Sequence, residues 1–87
     1  MAYQVLIEKR PAKYLSKLPK KRYEKISDLI RQLKDFPRVQ VNIFPIKGAF
    51  EKNSYRLRVG DWRVLFTVYD QQKVIKIWKI DTRGDVY

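Results

Sequence analysis

Apolar residues recur three or four apart before residue 37 and on alternate positions after residue 53, so the chain divides into a helical half and a strand half. Residues 2 to 8, "AYQVLIE", open it with a predicted strand carrying Tyr3, Val5 and Ile7 on one face and Gln4 and Glu8 on the other. "KRPAKYLSKL" predicts a short amphipathic helix, with Pro11 in its first turn and Tyr14, Leu15 and Leu18 as its stripe. Pro19 then starts a longer helix, along which Tyr23, Ile26, Ile30 and Leu33 step by three, four and three. Leu29 and Phe36 widen that face, and Pro37 ends the helix. Residues 38 to 52 hold Pro45 and Gly48 without a clean period and read as a connector, with a short extended piece at "VNIF".

Three segments follow, "SYRLRV", "WRVLFTVY" and "KVIKIWKI", rich in β-branched and aromatic residues and split by "GD" and "DQQ". They predict a three-stranded antiparallel meander and a short tail, "DTRGDVY". The fold class is α+β: an N-terminal strand, a helical hairpin and the meander packed on the helices, one domain over residues 1 to 87.

The hairpin "YRLRVGDWRVLF" sets its own register. With Gly60-Asp61 as a two-residue type II′ turn, Val59 faces Trp62, Arg58 faces Arg63 and Tyr55 faces Phe66. Alternation then sends Tyr55, Leu57, Val59, Trp62, Val64, Phe66 and Val68 toward the helices, and Arg56, Arg58 and Arg63 to the other side. The turn at residues 70 to 73 pairs Tyr69 with Val74 and Phe66 with Ile77. Ile75 and Ile77 join the core, while Lys76 and Trp78 join the arginines. Arg58 opposite Arg63 is a like-charge pair, which is mildly destabilising and has no reason to persist on grounds of stability alone. A solvated outer face is the plain alternative. The repulsive pair, the added lysine and an exposed indole favour a binding face, with guanidinium groups forking onto phosphates and Trp78 stacking on a base.

Charge changes the picture more than composition does. Twenty Lys plus Arg against nine Asp plus Glu leave a net charge of +11 on 87 residues, a balance suited to a polyanion or an acidic protein partner. With no cysteine and no histidine, disulfides, thiol nucleophiles and the commonest metal ligand and general base are all missing. Asp61, Asp70, Asp81 and Asp85 are scattered, and turn chemistry and solvation at turns and tail account for them. The N-terminal segment is too short and too charged for a signal peptide, and no apolar run would span a bilayer, so a cytoplasmic protein without a membrane partner is expected.

The order strand, helical hairpin, meander and tail, with "YRLRVGDWRVLF" in the meander and "RGDVY" at the end, resembles the RelE/ParE superfamily of toxins over essentially the whole chain. The RelE-like branch implies a small basic protein that enters the ribosomal A site, cuts the mRNA there, and is held inactive by a cognate antitoxin. By that resemblance the site comprises Arg56, Arg58, Arg63, Arg83 and Tyr87; Lys76 and Trp78, from their place on the arginine side, and Lys52, from its place before the hairpin, are RNA-binding candidates. The implied partners are an acidic antitoxin and a 70S-type ribosome with mRNA in its A site. Neither a metal nor another cofactor is implied.

RNA can be cut without a metal when its own 2′-hydroxyl attacks the adjacent phosphate. Proton removal, charge stabilisation and protonation of the leaving 5′-oxygen are then required. On this chemistry Arg63 and Arg83 are expected to hold the scissile phosphate, with Arg83 also as donor of the leaving-group proton. Arg56 and Arg58 are expected to orient the backbone, Tyr87 to orient or activate the 2′-hydroxyl, and Trp78 or another aromatic to stack on a base. Many relatives carry lysine where this chain has Arg56 and Arg58, and an arginine in effect never loses its proton. The general base therefore falls to Tyr87 or to a ribosomal group. Some branches also place histidine where Thr82 stands, and the spacing from Arg83 to Tyr87 is shorter than in some members. Two other readings stay open: a ParE-like poison of DNA gyrase, and a non-catalytic nucleic-acid-binding module, whose binding would be salt-dependent and leave no cut product.

Overall fold

Two prolines divide the helical half. Pro11 lies within the first turn of α1 (Lys9–Ser16), where an amide donor is not required, and Pro19 stands at the N-cap of α2 (Lys20–Gln32). The computed structural model describes residues 2–38, 42–48 and 52–82. The strands are β1 (Gln4–Ile7), β2 (Asn42–Pro45), β3 (Ser54–Val59), β4 (Trp62–Tyr69) and β5 (Val74–Thr82). They form one five-stranded sheet in the order β1-β5-β4-β3-β2, parallel between β1 and β5 and antiparallel elsewhere. No helix among the described residues is long and apolar enough to cross a membrane.

The α+β class and the meander are as expected, but the sheet is wider than the meander alone. β1 joins it beside β5, and the connector contributes β2, which pairs Asn42 with Arg58 and Phe44 with Arg56. Pro45 does not bar this: at the end of an edge strand its missing donor costs no ladder bond. Tyr3 pins β1 from the side, its hydroxyl donating to the Asp70 carboxylate at the β4–β5 turn.

The hairpin register is as the sequence predicts, from Val59 opposite Trp62 to Tyr55 opposite Phe66. Gly60 takes φ +59° while Asp61 stays out of the left-handed region, the pattern of a type II′ turn. The β4–β5 connection uses the four residues Asp70 to Lys73 and pairs Tyr69 with Val74 and Phe66 with Ile77.

The core lies between this sheet and the two helices. Leu15, Ile26, Ile30 and Leu33 are buried from the helical side; Leu57, Val64, Phe66, Ile75 and Ile77 are fully buried from the sheet. Tyr55 stacks on Phe66 at 5.7 Å between centroids, and Trp62 packs on Tyr14 at the same distance. Two details depart from the helical pattern. α2 ends at Gln32 and tightens into a 3₁₀ turn over Leu33–Asp35 ahead of Pro37. Tyr23 is exposed rather than in the core, because it stands beside Ile7 on the flank where β1 is the edge strand of the sheet.

The strongest local departure is in β5. Leu65 pairs with Lys79 and Phe66 with Ile77, so Trp78 is an extra residue and the strand carries a β-bulge there. The bulge resets the alternation. Ile80 turns into the core, 5% exposed, which strict period two from Ile77 would have sent outward. The strand also runs on through Asp81 and Thr82, residues assigned to the tail on sequence grounds.

Candidate nucleic-acid interface

Side chains on the face of the sheet away from the helices line up in rows across the strands, because paired residues point to the same side. One row runs Asp81, Arg63, Arg58, Asn42 from β5 to β2. The next, about 7 Å further along the strands, runs Lys79, Leu65, Arg56, Phe44. A third holds Lys76, Thr67 and Ser54. Arg56, Arg58, Arg63 and Lys76 thus share one face, as the alternation predicts.

Arg63 is not an unopposed cation. Its Nε donates to Asp81 Oδ1 at 3.2 Å and its terminal nitrogen to Oδ2 at 3.4 Å, a two-pronged grip on one carboxylate. Lys79 Nζ lies 3.8 Å from the same Oδ2. Asp81 is therefore not a turn or tail carboxylate: the extended β5 carries it opposite Arg63. It offsets the repulsion between Arg63 and Arg58, and it holds the Arg63 guanidinium in one orientation. Arg58 is exposed and directly opposite Arg63. Arg56 is half-buried, with its guanidinium carbon 5.7 Å from the centre of the Phe44 ring. Its Nε is buried and has no hydrogen-bond partner among the described residues.

Trp78 differs from expectation. Its indole is half-buried, and Nε1–H is donated to Thr67 Oγ1 at 3.0 Å. Thr67 is itself buried and shares a 2.7 Å hydrogen bond with Ser54. The bulge brings the ring down over this hydroxyl pair, so Trp78 closes the sheet surface rather than offering an open platform. Lys76 reaches toward Tyr69, 6.0 Å from the ring centre. Lys52 is not gathered with the arginines. It is exposed beside Asp70 and Gln71 at the β4–β5 turn, before the start of β3 and at the opposite end of that strand from Arg58. Arg83, Tyr87 and Asp85 lie outside the described residues. No group of three or more carboxylate, histidine or cysteine side chains suited to hold a metal ion occurs among the described residues.

Phe44, Lys79 and Asp81 belong to this face and were missed. The spacing Ile75, Ile77, Ile80 carried the signal for the last two: period two past Ile77 would bury Lys79 and expose Ile80, and only a bulge avoids that. For Phe44, the only hint was the alternation within "NIFP".

Comparison with known proteins agrees with this architecture. Residues 7–87 match the family described as ParE toxin of type II toxin–antitoxin system, parDE. The protein named "Putative toxin RelE1" in Methanocaldococcus jannaschii is 36% identical over 89 residues, covering 100% of this chain and 97% of its own. Among solved structures, the RelE chain of the archaeal RelE–RelB complex from Pyrococcus horikoshii superposes with a TM-score of 0.80 at 36% identity, covering 97% of this chain and 98% of that one. A RelB–RelE complex from Methanococcus jannaschii gives 0.75 at 25% identity, with 94% of each chain covered. With the strand order, the helical hairpin and the full-length matches in agreement, the chain belongs to the ParE toxin family of type II toxin–antitoxin systems, within the RelE/ParE superfamily, and is similar along its length to RelE toxins.

Proposed function

We propose that this toxin is a ribosome-dependent endoribonuclease that cuts mRNA in the A site and thereby stops translation. The observation that carries this reading is the pair of adjacent rows on the outer face, where Arg63, Arg58 and Arg56 stand within about 7 Å of one another along the strands. The 2′-oxygen attacks phosphorus and the bond to the 5′-oxygen breaks, leaving a 2′,3′-cyclic phosphate and a 5′-hydroxyl. The proton lost by the 2′-hydroxyl is balanced by the one gained by the 5′-oxygen. Arg63, held by Asp81, meets the developing phosphorane charge, and Arg58 and Arg56 orient the flanking backbone. The resemblance adds Arg83, as the group serving the leaving oxygen, and Tyr87, as the group serving the 2′-hydroxyl. This route draws its nucleophile from the substrate and asks for no metal.

The solved relatives include RelE toxins in complex with RelB. We extend that to this chain as a cognate antitoxin, acidic to match the charge of +11, acting in the cytoplasm. The matched family model is that of ParE toxins, which favours a second reading as a gyrase poison.

Primer extension on programmed ribosomes distinguishes these. Wild-type protein is expected to give cuts confined to the A-site codon, and none on ribosome-free RNA. Arg63→Ala is expected to lower the cleavage rate by about 10²- to 10³-fold, the usual cost of one preorganised charge-stabilising donor. Absence of ribosomal cutting together with inhibition of supercoiling would transfer the assignment to gyrase.

A further inference from the structure

The arginine face needs an aromatic surface if it is to hold an unpaired base as well as a phosphate, and Trp78 is committed elsewhere. Its N–H is spent on Thr67 and its ring is half-buried. Phe44 meets the requirement. It sits on the edge strand β2, 40% exposed, with no polar atom to satisfy. It is the direct cross-strand neighbour of Arg56, whose guanidinium lies 5.7 Å from its ring centre. One row away, Arg58 is exposed for a phosphate.

We propose that Phe44 and Arg56 together form the base-stacking platform of this toxin, taking an unpaired RNA base while the adjoining phosphate lies on Arg58. This rests on the nuclease reading only for the identity of the ligand as single-stranded RNA. The physical case is separate. A ring and a guanidinium both present flat faces to a base, and the cation–π contact holds the two at a fixed separation before the ligand arrives. The Arg56 Nε is buried, with no hydrogen-bond partner among the described residues, so burial and the Phe44 contact rather than solvent set the place of this side chain. A phenylalanine left open on an edge strand is a liability that Lys or Thr would avoid, and a bound base would cover it. Selectivity follows from stacking strength, so purines should be preferred to pyrimidines at one position.

The test measures binding rather than cutting. Fluorescence anisotropy at low salt reads the affinity of short single-stranded RNAs for wild type, Phe44→Ala and Phe44→Trp. A set of otherwise identical RNAs, each abasic at one position, is read in parallel. Phe44→Ala is expected to weaken the intact RNA by about five- to a hundred-fold, and Phe44→Trp to restore it. Wild type should show one position where removing the base costs a similar factor, and Phe44→Ala should be indifferent to that position. Phe44 is exposed, so the variants are expected to fold, which their melting temperatures check. Equal affinities for wild type and Phe44→Ala would overturn the platform. So would a loss spread evenly over all abasic RNAs, or no binding by the wild type. If the base-specific loss is seen while ribosomes are not cut, the platform stands and the nuclease reading falls.

Discussion

The two faces of the sheet are made by the same strands and obey opposite rules. On the helical face, Leu57, Val64, Phe66, Ile75 and Ile77 are fully buried, in one hydrophobic cluster with Leu15, Ile26, Ile30 and Leu33 from the helical side. On the outer face the side chains hold one another in pairs: Arg63 on Asp81, Trp78 on Thr67, Arg56 over Phe44. One face is closed by packing, the other by a few directional contacts among charges. That difference teaches where selection for stability stops. The outer face tolerates Arg58 opposite Arg63, an exposed phenylalanine and a guanidinium nitrogen without a hydrogen-bond partner among the described residues, features that stability alone would not select.

Substitutions on the two faces should therefore separate stability from binding. Phe66→Ala opens a cavity beneath Tyr55 and Phe36, and should cost about 3–5 kcal/mol in a urea titration, a large part of the stability of a domain this small. Thr67→Val removes the acceptor of the Trp78 indole and the partner of Ser54, leaving two polar groups to re-satisfy. About 1–3 kcal/mol is expected, with a red-shifted Trp78 emission as the indole loosens. Asp81→Asn should lower stability by about 1 kcal/mol but raise affinity for single-stranded RNA and steepen its salt dependence, because Arg63 loses its counter-charge. Arg58→Ala should do the reverse, adding a few tenths of a kcal/mol and lowering the salt slope by about one. The gain from Arg58→Ala should grow in the Asp81→Asn background. Simple additivity there would mean that Asp81 does not offset the arginine repulsion.

How much could be read in advance divides along the same line. The hairpin register was legible because Gly60-Asp61 sets it within a few residues, and everything that alternation dictates up to Ile77 follows. The burial of Phe66 and the outward direction of Arg56, Arg58 and Arg63 are of this kind. The misreadings begin where a partner comes from far along the chain. Tyr23 has the spacing of a core residue but stands past the edge of the sheet, and Lys52 precedes the hairpin in sequence yet lies at the opposite end from Arg58.

Sequence alone determined the helical and strand periods, the proline boundaries, the hairpin turn and the excess of positive charge. All of these depend on residues close together in the chain, or on a sum over it. Tertiary structure decided that β1 and β2 would flank the meander, that a bulge at Trp78 would keep Ile80 in the core, and that Asp81 would sit across from Arg63. Strand pairing over long separations carries little local signal, since its free energy is realised only once the sheet is assembled and the buried face has chosen its side.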